Sequence, residues 1–223
     1  MKLTPRLQAV ADLAEGAVSL ADIGTDHGFI PAYFALKGIP GPVAACDVGK
    51  GPLSSAALTV AQLGLEGKVE LILSDGLAGL EDKYDTIVIA GMGGDLMSRI
   101  LRSSPWPLGG KRLVLQPQSR TDRVFETLRD LGFEARAGKI AREGRRLYTA
   151  FLAGTGSGES ARGPALPGLD VLRADPLFPA WCRELEKKTL RSLEGLRRSA
   201  RPDRQRETEL VRILQEVRDA AGS

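Results

Sequence analysis

The chain has 223 residues, enough for one α/β domain and an appendage, and its hydrophobic fraction permits an ordinary core. Its 31 Lys and Arg against 28 Asp and Glu leave a formal charge of only +3, so attraction to an anionic partner must come from local patches rather than from the sum. Two distant cysteines, Cys46 and Cys182, argue against a disulfide framework or a zinc site and fit a reducing cytoplasm; the charge-interrupted N-terminus has no signal-peptide core, and no apolar run is long enough for a membrane span.

Thr4-Pro5 reads as a helix cap with proline at the first helical position, and Leu7, Val10, Ala11 and Ala14 recur at helical spacing behind it. A strand is expected over 18–23, a helix over 29–38, a strand over 43–47 and a helix over 52–63. Strand 69–73 runs into Ser74-Asp75-Gly76, and strand 84–90 runs into Gly91-Met92-Gly93-Gly94, read as a loop before a helix near Asp95. Strand 112–116, a helix over 121–131 and two strands near 134–140 and 147–152, joined at Gly144, complete the unit. Such alternation implies a mostly parallel sheet covered by helices on both faces, with the closing hairpin as an antiparallel edge. Gly154 to Gly163, followed by Pro164 and Pro167, has linker composition. Beyond Asp175-Pro176, read as a helix start, Trp181, Leu185, Leu193 and Leu196 share one helical face. After a break at Ser199-Ala-Arg-Pro202, Leu210, Ile213, Leu214 and Val217 share another, which together make an antiparallel helical hairpin. The expected division is 1–153, a linker over 154–170 and a hairpin over 171–223.

The stretch Leu20-Ala-Asp-Ile-Gly-Thr-Asp-His-Gly28 links the first strand to its helix. A glycine loop at a helix N-terminus accepts a nucleotide-like ligand against backbone N–H groups. Here the order is Asp22-x-Gly24-x-Asp26-x-Gly28 rather than G-x-G-x-x-G, and an acid ahead of the loop suits an ammonium or sulfonium group better than a pyrophosphate. The pattern favours S-adenosylmethionine over a dinucleotide. Asp22 would hold the ligand's amino-acid end and Gly24 would let the backbone approach closely. Asp47, 25 positions later at the end of the second strand, is placed for ribose hydroxyls, and Asp75 beside Gly76 for the adenine amino group. The three glycines in Gly91–Gly94 leave room for an acceptor ring, and the chain lacks the Asn/Asp-Pro-Pro-aromatic clamp of enzymes that methylate exocyclic nitrogens. Asp26 is the candidate catalytic carboxylate, with loop bracing as the competing role; His27, the single histidine, reads first as packed or capping. Arg120, Arg123, Arg136, Lys139, Arg142, Arg145 and Arg146 form a basic group expected at the rim, suited to phosphates.

Taken together, Leu20–Gly28 with Pro31, Gly51-Pro52, Ser74-Asp75-Gly76-Leu77, Ile87-Val-Ile-Ala-Gly-Met-Gly-Gly94 and Leu115-Gln-Pro117 resemble the bacterial tRNA adenine-N1 methyltransferases of the TrmK family, over roughly residues 3–153. The segment beyond residue 170 also looks like that family's coiled coil. Cys46-Asp47 departs from the Gly-Glu common in the family. The resemblance implies a class I, Rossmann-like fold with a seven-stranded sheet, S-adenosylmethionine as cofactor, no metal, and methyl transfer to N1 of a D-arm adenosine, at tRNA position 22. It carries cofactor contacts onto Asp22, Gly24, Asp47, Asp75 and Gly76 and puts Asp26 and the Gly91–Gly94 loop beside the methyl group. The expected site is completed by Ala90, Gly91 and Met92 at the cofactor, Asp26 as the catalytic residue, and His27, Gly93, Gln116, Arg120, Arg123, Arg142 and Arg145 at the substrate. The residues by themselves leave open a methyltransferase for another RNA or a small molecule, and a nucleotide-binding oxidoreductase. The hairpin is read as an RNA grip, with a dimerisation module as the alternative.

Overall fold

The computed structural model describes residues 1–156, 168–198 and 203–222. The expected break at 199–202, and most of the expected linker, lie outside the described residues. Element order is α1 (Pro5–Leu13), β1 (Leu20–Ile23), α2 (Phe29–Lys37), β2 (Val43–Asp47), α3 (Lys50–Gln62), β3 (Val69–Leu73), β4 (Thr86–Gly93), α4 (Gly94–Arg102), β5 (Arg112–Ser119), α5 (Thr121–Asp130), β6 (Phe133–Glu143) and β7 (Arg146–Thr155). A short α6 (Leu169–Leu172) and two long helices, α7 (Phe178–Arg197) and α8 (Arg204–Gly222), follow. The seven strands run β3-β2-β1-β4-β5-β7-β6, with β7 antiparallel to both of its neighbours and every other pairing parallel. The order reverses between β1 and β4, which opens a crevice at their carboxyl ends.

Strand alternation divides the core. Leu20, Val88 and Val114 face a cluster with α1, α2 and α3, whereas Ala21, Ile87, Ile89, Leu113 and Leu115 face a second with Met97, Leu101, Val124 and Leu128 of α4 and α5. Because side chains repeat every second residue, the same parity carries Asp22, Ala90 and Gln116 to the α1 side at the carboxyl ends of three adjacent strands. The edge of the sheet that bears the crevice therefore has a polar end on one face, directly below the first turn of α1.

Two expectations are corrected here. Gly91–Gly93 is not a loop: β4 continues through it, paired with β5 as far as Ser119, with register shifts on either side of Met92. Such bulges re-aim side chains beside functional sites. The continuation needs the backbones to meet, since a Cβ on Gly94 would lie 2.1 Å from the Arg120 carbonyl oxygen. Second, α7 starts at Phe178 rather than at Asp175-Pro176. Asp175 instead accepts hydrogen bonds from the Leu177 N–H and from the Ile140 N–H, both at 2.8 Å, so one carboxylate serves the start of α7 and the open edge of β6. The base of the helical pair is apolar: Phe178, Cys182, Val217 and Ala220 pack with Ile140, Phe151, Leu169 and Leu172. Higher up, Arg218–Glu186 and Arg197–Glu207, each at 2.7 Å, bridge the two helices.

Replacing Asp175 by Ala leaves two backbone donors without their acceptor and should cost about 2 kcal/mol. Chemical denaturation should show that loss, and limited proteolysis should show earlier cleavage near residue 177 than in the parent protein.

Candidate active site

A cleft of about 340 Å³ lies at the carboxyl ends of β1 and β4, between the loop after β1 and the start of α1. Its walls are Asp22, Gly24, Thr25, Asp26, His27 and Gly28 from that loop, Phe29 and Ile30 from α2, Ala90 and Gly91 from β4, Gln118 from β5, and Thr4, Arg6 and Leu7 from α1. The loop is hooked down by the Gly24 and Thr25 N–H groups, which both donate to the Cys46 carbonyl at 2.8 and 2.9 Å. Gly24 adopts φ +76°, and a Cβ there would come within 2.6 Å of Met92 Cε. The bulge in β4 thus sends Met92 underneath the loop and keeps the backbone at Gly24 bare toward the cleft.

Asp22 is the electrostatic centre of the cleft. It is 7% exposed, and burial pushes its carboxyl from the ordinary 3.8 up to about 6. The neighbouring Thr25 side chain opposes that rise without a well-aligned hydrogen bond, its hydroxyl being buried and unpartnered, while the Asp47 carboxylate adds to the rise. No described cation pairs with Asp22. A buried carboxylate with no cation among the described residues and a buried, unpartnered hydroxyl, facing one cleft, fit a cationic or donor-bearing ligand. Opposite them, Arg6 is fixed from three sides: its Nη1 donates to Gln116 Oε1 at 3.0 Å, its Nε lies 3.5 Å from Glu143 Oε2, and its guanidinium sits over the Tyr148 ring at 5.8 Å.

Of the residues singled out from sequence, Asp22, Gly24, Asp26, His27, Ala90 and Gly91 meet in this cleft. Met92 buttresses it, and Gly93 closes β4 as the N-cap of α4. Asp26 is largely exposed, 3.4 Å from His27 Nε2, and His27 stacks on Phe29 with ring centroids 5.3 Å apart. Asp47 and Asp75-Gly76 continue the same strand-end edge beyond the cleft: Asp47 accepts the Gly49 N–H at 2.7 Å, and the exposed Asp75 follows β3. Gln116 is fully buried beneath Arg6 rather than in the wall; Gln118 takes the wall position. Of the basic group, Arg142, Arg145 and Arg146 flank the β6–β7 turn at the cleft's end of the sheet, with Arg142 reaching Glu184 of α7 at 3.6 Å. Arg120 and Arg123 lie at the start of α5, bonded to Asp122 and Glu126. Arg120 has the one positive φ, 50°, found on a non-glycine among the described residues. Arg136 and Lys139 leave the rim, the first bonding the Thr155 carbonyl at the other end of the sheet and the second pairing with Asp12. Arg6, Thr25, Phe29 and Gln118 join the cleft wall without a local sequence signal that marks them. The Thr4-Pro5 cap announces a helix but not that its first turn roofs a cleft, whereas Gln118, two residues past Gln116 in an extended run, was within reach of strand parity.

The folded state holds the Asp22 proton between about pH 4 and pH 6, where the unfolded chain has lost it, so this residue makes stability fall as pH rises through that window, by up to about 3 kcal/mol. Asp22→Asn should therefore melt higher than the parent protein at pH 7.5, with the gap closing toward pH 4. A scan of melting temperature against pH for both proteins measures it, and an equal or lower melting temperature for the variant at pH 7.5 would refute the account.

Residues 3–151 match a family of methyltransferase domains. The chain is 33% identical over 163 residues, 72% of its length and 68% of the relative's, to a tRNA (adenine(22)-N(1))-methyltransferase of Bacillus subtilis. Among solved structures, the Bacillus subtilis m1A22 tRNA methyltransferase TrmK superposes with a TM-score of 0.80 at 26% identity, covering 99% of both chains. A Streptococcus pneumoniae protein crystallised with S-adenosyl-L-methionine superposes with a TM-score of 0.81 at 28% identity, covering 99% of this chain and all of the other. With its strand order, its acid-led glycine loop and these relatives, the chain belongs to the TrmK family of tRNA (adenine-N1) methyltransferases.

Proposed function

We propose that the protein transfers the methyl group of S-adenosylmethionine to N1 of adenosine 22 in the tRNA D-arm. The observation that carries this reading is the buried, unpaired Asp22 facing a cleft beneath the Gly24 loop, in a chain whose relatives bear that activity in name. S-adenosylmethionine supplies an electrophilic methyl on a sulfonium centre. The residues suit it: Asp22 and the loop backbone for the amino-acid end, Asp47 for ribose hydroxyls, Asp75 and the Gly76 backbone for adenine, and Ala90, Gly91 and Met92 along the methyl-bearing middle.

Adenine N1 has a free lone pair, so attack needs no prior deprotonation. The protein's work is to hold the base unpaired and in line, and to stabilise the positive charge that moves onto the ring. Asp26, at the cleft beside His27, is assigned that charge-stabilising role, and its exposure leaves the carboxylate accessible to the incoming ring. Base extrusion of this kind is aided by ring surfaces, which His27 and Phe29 present at the rim. Neither step calls on a metal.

We assign residues 1–153 to catalysis and 171–223 to RNA binding, joined by 154–170. Arg120, Arg123, Arg142 and Arg145 would contact phosphates near the cleft. On α7 the exposed Arg183, Lys187 and Arg191, four residues apart, form a basic stripe on the face away from α8, and none pairs with a described residue. A tRNA substrate supports a cytoplasmic location. Among the described residues no helix is long and apolar enough to cross a membrane.

A tritiated-methyl assay on tRNA lacking the modification, followed by nucleoside analysis, should place label in 1-methyladenosine alone, and replacing the D-arm adenosine by guanosine should abolish it. Label in N6-methyladenosine, guanosine or a small metabolite would overturn the substrate. Asp26→Asn should lower turnover by about two orders of magnitude or more with cofactor affinity little changed; near-normal turnover would return Asp26 to loop bracing. The double change Lys187→Glu with Arg191→Glu should weaken tRNA binding and flatten its salt dependence by about one log-log unit for each phosphate no longer neutralised. Unchanged tRNA affinity with altered oligomeric mass would make the hairpin a dimerisation module instead.

A further inference from the structure

Gln118 stands in the cleft wall near the end of β5, and its side-chain amide makes no hydrogen bond with a described residue. Gln116, two residues earlier, is the opposite case: it is fully buried, with both ends of its amide committed. The ladder between β4 and β5 accounts for the difference. Ala90 pairs with Gln116, Met92 with Pro117 and Gly93 with Ser119. The first step takes two residues on β4 and one on β5; the second takes one on β4 and two on β5. Gly91 and Gln118 are therefore the extra residues of two opposed bulges, which together restore the register. Bulged residues leave the ladder and re-aim their side chains. Here both line the same cleft, and the Gln118 amide lies against the bare Gly91 backbone, where a Cβ would meet Nε2 at 3.8 Å. We infer that Gln118 reads the Hoogsteen edge of the target adenine, with Oε1 accepting from the N6 amino group and Nε2 donating to N7. The inference rests on the substrate reading above and names what selects the base there.

The chemistry of the two partners matches. A carboxamide carries a donor and an acceptor side by side in one plane, at the spacing of adenine N6 and N7. Among the described residues of the cleft wall, Gln118 alone carries that group. The Asp26 carboxylate can accept from an amino group but has no hydrogen to give N7. A contact on the Hoogsteen edge leaves N1 unencumbered on the neighbouring Watson–Crick edge, where the methyl group has to arrive. Guanine presents two acceptors on the same edge, O6 and N7, and cannot satisfy both ends of the amide. Methyl transfer puts positive charge on the ring, which makes the N6 hydrogens stronger donors. The bond to Oε1 therefore tightens toward the transition state, where binding energy is turned into rate.

The test is methylation of two full-length tRNAs by the full-length protein and by Gln118→Leu, one tRNA carrying adenosine and the other 7-deazaadenosine at position 22. The analogue keeps N1 and the amino group but has a C–H in place of N7. Its altered reactivity at N1 is common to both proteins and cancels when their ratios are compared. Gln118→Leu should lower kcat/KM on adenosine by about 10- to 100-fold, the worth of a bidentate pair. The adenosine-to-7-deazaadenosine ratio of kcat/KM should be about 3- to 10-fold larger for the parent than for Gln118→Leu, which reports the single bond to N7. Gln118→Asn, which keeps the amide on a shorter stem, should fall between and serves where the leucine variant is too slow to assay. S-adenosylmethionine affinity, by isothermal titration, should change less than about twofold in either variant. Equal ratios for parent and variants would overturn the inference and leave the substrate reading standing. Weakened S-adenosylmethionine binding with an unchanged ratio would make Gln118 a cofactor contact, and would also overturn it. If the parent binds S-adenosylmethionine but methylates neither tRNA, the substrate reading itself falls and takes the inference with it.

Discussion

The fold buries a carboxylate at the end of β1, and among the described residues no cation pairs with it. Asp22 reaches that position because the alternation that turns Leu20 into the core turns Asp22 the same way two residues later, under α1. An uncompensated buried charge is among the more expensive things a protein can keep. Its neighbours do not relieve it: Thr25 offers no aligned donor, and Asp47 is a second negative charge on the adjacent strand end. The rest of the domain tolerates Asp22 through dense apolar packing on both faces of the sheet, where Leu20, Ile87, Ile89, Leu113 and Leu115 are essentially inaccessible to water. Stability gained along the body of the strands is thereby spent at their tips.

The glycine-rich segment after Ala90 is a second case of structure that serves the crevice. Read as sequence, three glycines in four residues suggest slack. In the fold they permit close approach: β4 and β5 run on together beyond the sheet, Gly94 lets the two backbones meet at Arg120, and the bulge delivers Met92 beneath Gly24. The positive φ of Arg120 belongs to the same crossing, at the start of α5. Rigid positioning of a glycine-lined surface is what in-line transfer demands, since a small misplacement of the acceptor costs rate steeply.

Much of this was legible from residues alone. The parallel strands carry uninterrupted apolar runs bounded by glycine, and β2 and β3 fall where composition puts them, at 43–47 and 69–73. Asp22, Gly24 and Asp26 announce a ligand loop by their order. What the chain conceals is long-range. Arg6 and Gln116 are 110 positions apart, and only the packing of α1 on the finished sheet makes them partners. The strand that extends through Gly91–Gly93 was hidden because glycine signals turns locally while the β5 pairing that overrides it is remote. Asp175 reads as a helix start by local rules and is one in part, but its second bond, to Ile140, belongs to tertiary structure. Arg136 and Lys139 look basic and available in sequence; their partners Thr155 and Asp12 come from elsewhere in the chain.

The double bond made by Asp175 has a geometric consequence. It ties the root of α7 to the edge strand whose tip, at Glu143, touches Arg6. A 20-residue helix is about 30 Å long. Anchored in this way, with Arg142 and Glu184 as a second point of attachment, α7 is fixed to the same edge strand that braces Arg6, so a load on the helix is borne where the wall of the cleft is built.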